Sequence, residues 1–241
     1  PYTTLFRSYI SKVTGVPMIE LAVGCSIGKS LKSMGYGTGL HPATDVYAIK
    51  VPVFSFEKLP ELEVSLGPEM KSTGEVLGLS RDYNMAVLKG LLAAGMRVPE
   101  KGKVLITVNR NDKQEAVRLA EDLVALGYKI YATPGTANAL NHGYVPASVV
   151  GVNEAAADML LHDIRQSEYA LIISTPTHGR DPQRLGFRIR RTAVECKVPC
   201  LTSLDTVAAL VQSLKIGKGE KDLVPYGLHQ LVADVEAARH G

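Results

Sequence analysis

Lys103-Val104-Leu105-Ile106-Thr107-Val108-Asn109-Arg110-Asn111-Asp112-Lys113, continuing to Ala132-Thr133-Pro134-Gly135-Thr136, is the stretch that decides the fold. Its opening apolar run, Val104 to Val108, is β-branched and lies between Gly102 and a cluster of turn residues, as expected of a strand buried on both faces. A helix is predicted over Lys113–Leu126, with Val117, Ala120, Leu123 and Val124 at helical spacing and Gly127 placed to cap it. A second strand, Tyr128–Ala132, runs into Thr133-Pro134-Gly135-Thr136, where another helix begins. Two hydroxyls, a glycine and the open N–H groups of a helix N-terminus at the C-terminal edge of a βαβ unit make a phosphate-sized cradle.

Working outward, strand and helix keep alternating. The pattern gives strands at Ser148–Val150, Ala170–Ser174 and Pro199–Thr202, and helices near Ala155–Gln166, Arg188–Lys197 and Asp205–Leu214. Five strands separated by helices predict an α/β fold with an open five-stranded parallel sheet and flanking helices. Upstream the pattern is weaker. A helix starting at Pro17 is expected to run to about Met34, although Gly24 and Gly28 oppose it. Val46–Phe54 reads as a strand made peripheral by Pro52, Leu66–Gly78 as glycine- and charge-rich chain without a strand, and Arg81–Gly95 as a helix. Residues 1–98 therefore hold too few elements to close a core, and Val98–Gly102 reads as a linker to a second unit, 99–241. Residues 1–8 match no pattern and are read as a truncation edge; the polar tail after Gly217 is read as loosely held.

The composition is that of an ordinary globular chain, with 46% hydrophobic and 21% charged residues. A formal net charge of +3 without a Lys/Arg run argues against nucleic-acid binding. No apolar stretch approaches the roughly 18 residues of a membrane span and no signal peptide opens the chain, so no membrane partner is expected. Cys25, Cys196 and Cys200 form no CxxC pair and leave one thiol over, which fits a reducing, cytoplasmic setting. No His pair stands near Cys196 and Cys200, which argues against zinc.

In an open parallel sheet, ligands bind beyond the strand C-termini. Thr107 through Lys113, Thr133, Thr136, Gly151 to Asn153, Ser174 to Gly179 and Thr202-Ser203 all arrive there, with Thr107, Lys113, Thr133, Thr136, Ser174, Thr175 and Thr177 the candidate effector residues. Hydroxyls and a cation suit a small phosphorylated molecule, whereas no paired carboxylates and no Ser/His/Asp order appear. No catalytic or metal-ligating residue is therefore assigned. Simpler readings exist for each: Thr133 and Thr136 as helix caps, Lys113 as a solvated lysine, His178 as a surface-loop histidine instead of a catalytic acid or phosphate donor, and Arg188, Arg190 and Arg191 as a solvated helix face instead of phosphate-neutralising cations. Glu69 and Glu75 are carboxylates without the rest of a metal site.

Ser11-Lys12-Val13-Thr14-Gly15-Val16-Pro17, Lys50–Phe54 and above all Leu66-Gly67-Pro68-Glu69-Met70-Lys71-Ser72-Thr73-Gly74-Glu75-Val76 resemble the large chain of carbamoyl-phosphate synthase. The resemblance continues through Thr133–Thr136, Ile173–Pro176 and Ile189–Arg191, from about Tyr9 to Leu214. It implies an incomplete ATP-grasp C-terminal segment over 1–98, closing the second synthetase unit, followed by a methylglyoxal-synthase-like regulatory domain over 99–241. It further implies a parent ligase that makes carbamoyl phosphate from bicarbonate, glutamine-derived ammonia and ATP with Mg or Mn ions, for arginine and pyrimidine synthesis. A small glutaminase chain, a nucleotide monophosphate effector such as UMP or IMP, and association through the large chain are the implied partners.

The departures are specific. The family's metal-binding Glu and Asn belong where Pro1–Ser8 stand, so the fragment is expected to be inactive alone and to bind no ATP or metal. Lys113, Thr133 and Thr136 match the family's phosphate residues, but a second Lys falls at Gly151 and an Asn at Ser174. On the ornithine side a Glu falls at Val51 and a Tyr at Cys200, while Thr202 matches. A weak ornithine response and altered nucleotide binding are expected. The alternative, a methylglyoxal-synthase-type lyase acting on a triose phosphate, would need an Asp where Gly151-Val152-Asn153-Glu154 stands.

Overall fold

A computed structural model of the chain describes residues 9–40, 46–54, 72–176 and 183–216, with single positions 223, 227 and 233. Its centre is a five-stranded sheet of order β5-β4-β3-β6-β7. In chain order these strands are β3 (Lys103–Thr107), β4 (Lys129–Ala132), β5 (Ala147–Val149), β6 (Tyr169–Ser174) and β7 (Cys200–Leu201). Every pairing in it is parallel, as the alternation of strand and helix predicts.

Burial on both faces explains the continuous apolar runs. Val104, Ile106, Ile130, Leu171 and Ile173 enter one core, while Leu105 and Ile172 enter the other. The first core is closed by helices 113–125, 134–142 and 204–214, the second by helices 154–165 and 185–195. The chain thus changes face between β3 and β6, and a crevice opens there beyond the strand ends.

The first core also takes in Val87 and Leu91 of helix 83–93. An adjoining face of that helix, with Ala86 and Gly90, lies on a hairpin of β1 (Tyr47–Val53) and β2 (Gly74–Ser80), paired antiparallel with Val51 opposite Val76. A strand at Gly74–Ser80 was not expected from the sequence. Its glycines are the reason it exists, not a sign against it. A Cβ on Gly78 would fall on the Ala86 carbonyl oxygen and within 2.6 Å of the Gly90 nitrogen, so only glycine lets helix and strand backbones touch.

The single helix expected over 17–34 is instead a helix at Met18–Ser26 and a 3₁₀ turn at Lys32–Met34. Gly28, at φ 90°, ends the first, and the Met34 side chain folds back over Gly24. Helix 185–195 begins and ends earlier than expected. Leu66–Lys71, loop 177–182 and most of the tail lie outside the described residues. Among the described residues, no helix is long and apolar enough to cross a membrane.

Candidate functional site

Thr107 closes β3, and in register beside it on the two flanking strands are Thr133, just past β4, and Ser174, at the end of β6. The Thr133 hydroxyl lies 3.2 Å from that of Thr107 and 3.4 Å from that of Thr136, and the Val108 N–H donates to the Thr136 hydroxyl at 3.3 Å. Three of the predicted hydroxyls therefore form one cluster.

Thr133 occupies the N-cap of helix 134–142, but its side chain caps no N–H of that helix. Capping is thus not what this threonine does. Asp82 and Asn153, by contrast, cap their helices at Met85 (2.7 Å) and Ala156 (2.9 Å). Beyond Pro134 the Gly135 N–H takes no partner among the described residues. The Lys113 ammonium stands over it, 3.2 Å from where a Gly135 Cβ would be. Lys113 is half-buried and makes no ion pair or hydrogen bond among the described residues. An uncommitted cation, an uncapped helix N-terminus and hydroxyl protons converge on one seat, the inventory for an anion.

The other predicted residues are placed differently. Ser174 is fully buried and its hydroxyl accepts from Arg190 Nη1 at 3.3 Å, so it faces inward, toward helix 185–195. Thr175, also buried, donates its N–H to the Thr107 carbonyl at 3.2 Å, and its hydroxyl accepts from the Asn109 N–H at 2.9 Å. Thr177 and His178 lie outside the described residues.

Two residues gain roles that the sequence reading missed. Arg190 and Arg191 are buried, at 5% and 9% exposure, not part of a solvated face; only Arg188 is, paired with Asp158 at 2.8 Å. The Arg190 guanidinium sits near enough to Cys200 to oppose the effect of burial, which pushes that thiol up to about 12. It thus lies beneath the ends of β6 and β7. Asn109 ties the β3 loop to β6: its Nδ2 donates to Asp112 at 2.5 Å and lies 3.3 Å from the Thr175 hydroxyl and 3.5 Å from the Pro176 carbonyl. Its Oδ1 accepts from Asn111 and Asp112 N–H groups at 2.8 and 3.3 Å. An Asn-x-Asn-Asp turn after a strand carries the signal for this.

The missing second lysine is built into the backbone, since a Cβ on Gly151 would fall on that of Ala156. Glu75 pairs with Lys50 at 2.6 Å, and no group of three or more potential metal ligands occurs among the described residues.

The fold is a doubly wound parallel sheet, and residues 115–202 match the MGS-like domain family. Over that span the chain is similar to MGS-like domains. It is also related to the carbamoyl phosphate synthase large chain, being 44% identical over 221 residues to that of Clostridium perfringens strain SM101, across 91% of this chain and 21% of that one. Against the large chain of Lachnoclostridium phytofermentans it is 46% identical over 217 residues, covering 90% of this chain and 20% of the relative. This chain spans about a fifth of the length of these relatives. Among solved structures, methylglyoxal synthase from Elizabethkingia anophelis resembles it with a TM-score of 0.40 and 15% identity, over 54% of this chain and 97% of that one.

Proposed function

We propose that this chain is the regulatory end of a carbamoyl phosphate synthase large chain, and that the Lys113–Gly135 seat holds the phosphate of a small effector. The observation that carries the reading is the half-buried Lys113 ammonium, without a partner among the described residues, standing over the uncapped N-terminus of helix 134–142. The parent would be a cytoplasmic, ATP- and Mg- or Mn-dependent ligase forming carbamoyl phosphate, served by a small glutaminase chain and associating through its large chain. Residues 1–98 would close its second ATP-grasp unit, and the phosphoryl-transfer machinery would come from other parts of that protein.

A lyase reading fits the site less well. The residue nearest the required Asp is Asn153, and its side chain is spent as the cap of helix 154–165. The test is calorimetric titration of the chain with inorganic phosphate, repeated on Lys113→Ala. Millimolar or tighter binding, lost by about tenfold or more in the variant with an unchanged melting temperature, is the expected result. Equal affinity in both proteins would sink the assignment.

A further inference from the structure

The Asn109 bridge says which phosphates the seat accepts. The crevice between the ends of β3 and β6 is where a ligand extending beyond its phosphate would lie in this fold. Here that crevice is stitched across. The Asn109 backbone N–H reaches the Thr175 hydroxyl at 2.9 Å, and its side-chain amide spans Asp112, Thr175 and the Pro176 carbonyl. The Thr175 N–H closes the same gap from the other side through the Thr107 carbonyl.

Both ends of the Asn109 carboxamide are committed, and Thr175 is buried at 6% exposure, so neither has a free group for a sugar or base. Two positions flanking the crevice also offer no side chain to a ligand. Ser174 faces inward onto Arg190, and Gly151 has no room for a side chain against Ala156. On the Gly135 side the Lys113 ammonium has no partner among the described residues.

We propose that Asn109 is a specificity-determining residue, and that the seat takes inorganic phosphate or a small phosphate monoester in preference to a nucleotide. This rests on the reading of Lys113 and Gly135 as a phosphate site. A nucleoside would have to break the Asn109–Thr175 bridge on entry, which lowers its affinity by the free energy of that rearrangement.

The test titrates the chain with inorganic phosphate, glycerol 3-phosphate and UMP, then repeats the series on Asn109→Ser. Serine keeps an oxygen for the turn N–H groups and the backbone bond to Thr175, and removes the carboxamide contacts to Thr175 and Pro176 that cross the crevice. In the wild type, glycerol 3-phosphate should bind within about threefold of phosphate and UMP at least about tenfold more weakly. In Asn109→Ser, UMP should gain at least about fivefold while phosphate holds its affinity. Should the serine variant melt early, Thr175→Val removes the opposite end of the bridge and carries the same expectation. UMP binding the wild type as tightly as glycerol 3-phosphate would overturn the proposal while leaving the phosphate seat intact. Binding of none of the ligands would overturn both.

Discussion

A single lysine separates the effector reading from a merely well-formed helix start. Thr133 and Thr136 were equally legible as caps, but the Thr133 hydroxyl meets that of Thr107 and caps no N–H of its helix. Lys113, Thr133 and Thr136 were legible in the sequence because a βαβ unit must deliver them to one edge. Asn109 and Arg190 were not. Their roles depend on which strands become neighbours, and β3 lies beside β6 only through a long-range crossover. Buried groups at this scale also set an alkaline limit on stability. Burial pushes the Cys200 thiol from its ordinary 9.0 to about 12, and Tyr169 from 10.0 to about 12 with help from Asp163. The unfolded chain ionises these groups first. Their contribution is therefore complete below about pH 9 and is lost as pH climbs through the range up to about 12. The urea midpoint should fall between pH 8 and pH 10.5, and Cys200→Ser should show a smaller fall over the same interval.

At the scale of elements, the sequence erred where a chain reversal uses a residue that does not advertise it. Helix 113–125 exits through Gly127 at φ 91°, and its end was read to within a residue. Helices 154–165 and 185–195 exit through Ser167 and Lys197, both at φ 57°, and there the helices were read as running a residue or two too far. The hairpin failed for the opposite reason. Gly78 looks like a loop residue until a helix is laid across it. Gly78 meets backbone on helix 83–93, whereas a Cβ on Gly90 would press on the Val51 methyl at 2.8 Å and meet backbone only at an ordinary 3.7 Å. A methyl can move aside and a carbonyl cannot. Gly78→Ala should therefore destabilise by roughly 3 kcal/mol or more and Gly90→Ala by about 1 kcal/mol, measured by chemical denaturation. The reverse order would mean that helix and hairpin separate more easily than their contact implies.

For the whole molecule, the alternation of elements pointed to two units joined at Val98–Gly102, and one apolar core spans that joint. Val87 and Leu91 lie in the same core as Val104, Leu123, Val207 and Val211, with Ile49 and Val51 of the hairpin packed against it. A sequence reading splits a chain where periodicity lapses. A core is divided by contact, and contact across a linker leaves no mark on periodicity. A piece beginning at residue 99 would thus leave an apolar furrow along helix 204–214, and should melt lower and self-associate more than the full chain. Sedimentation and thermal scans of the two would decide it.

Helix 83–93 therefore belongs to two neighbours at once, which sets how the molecule can come apart. With one side held by the sheet core and the other by Gly78, it has no partial opening that frees one half while sparing the second. Its amides should exchange with solvent only as slowly as the most protected strands, β3 and β6. Hairpin and sheet would then share a single unfolding transition, one cooperative body where the chain reads as two.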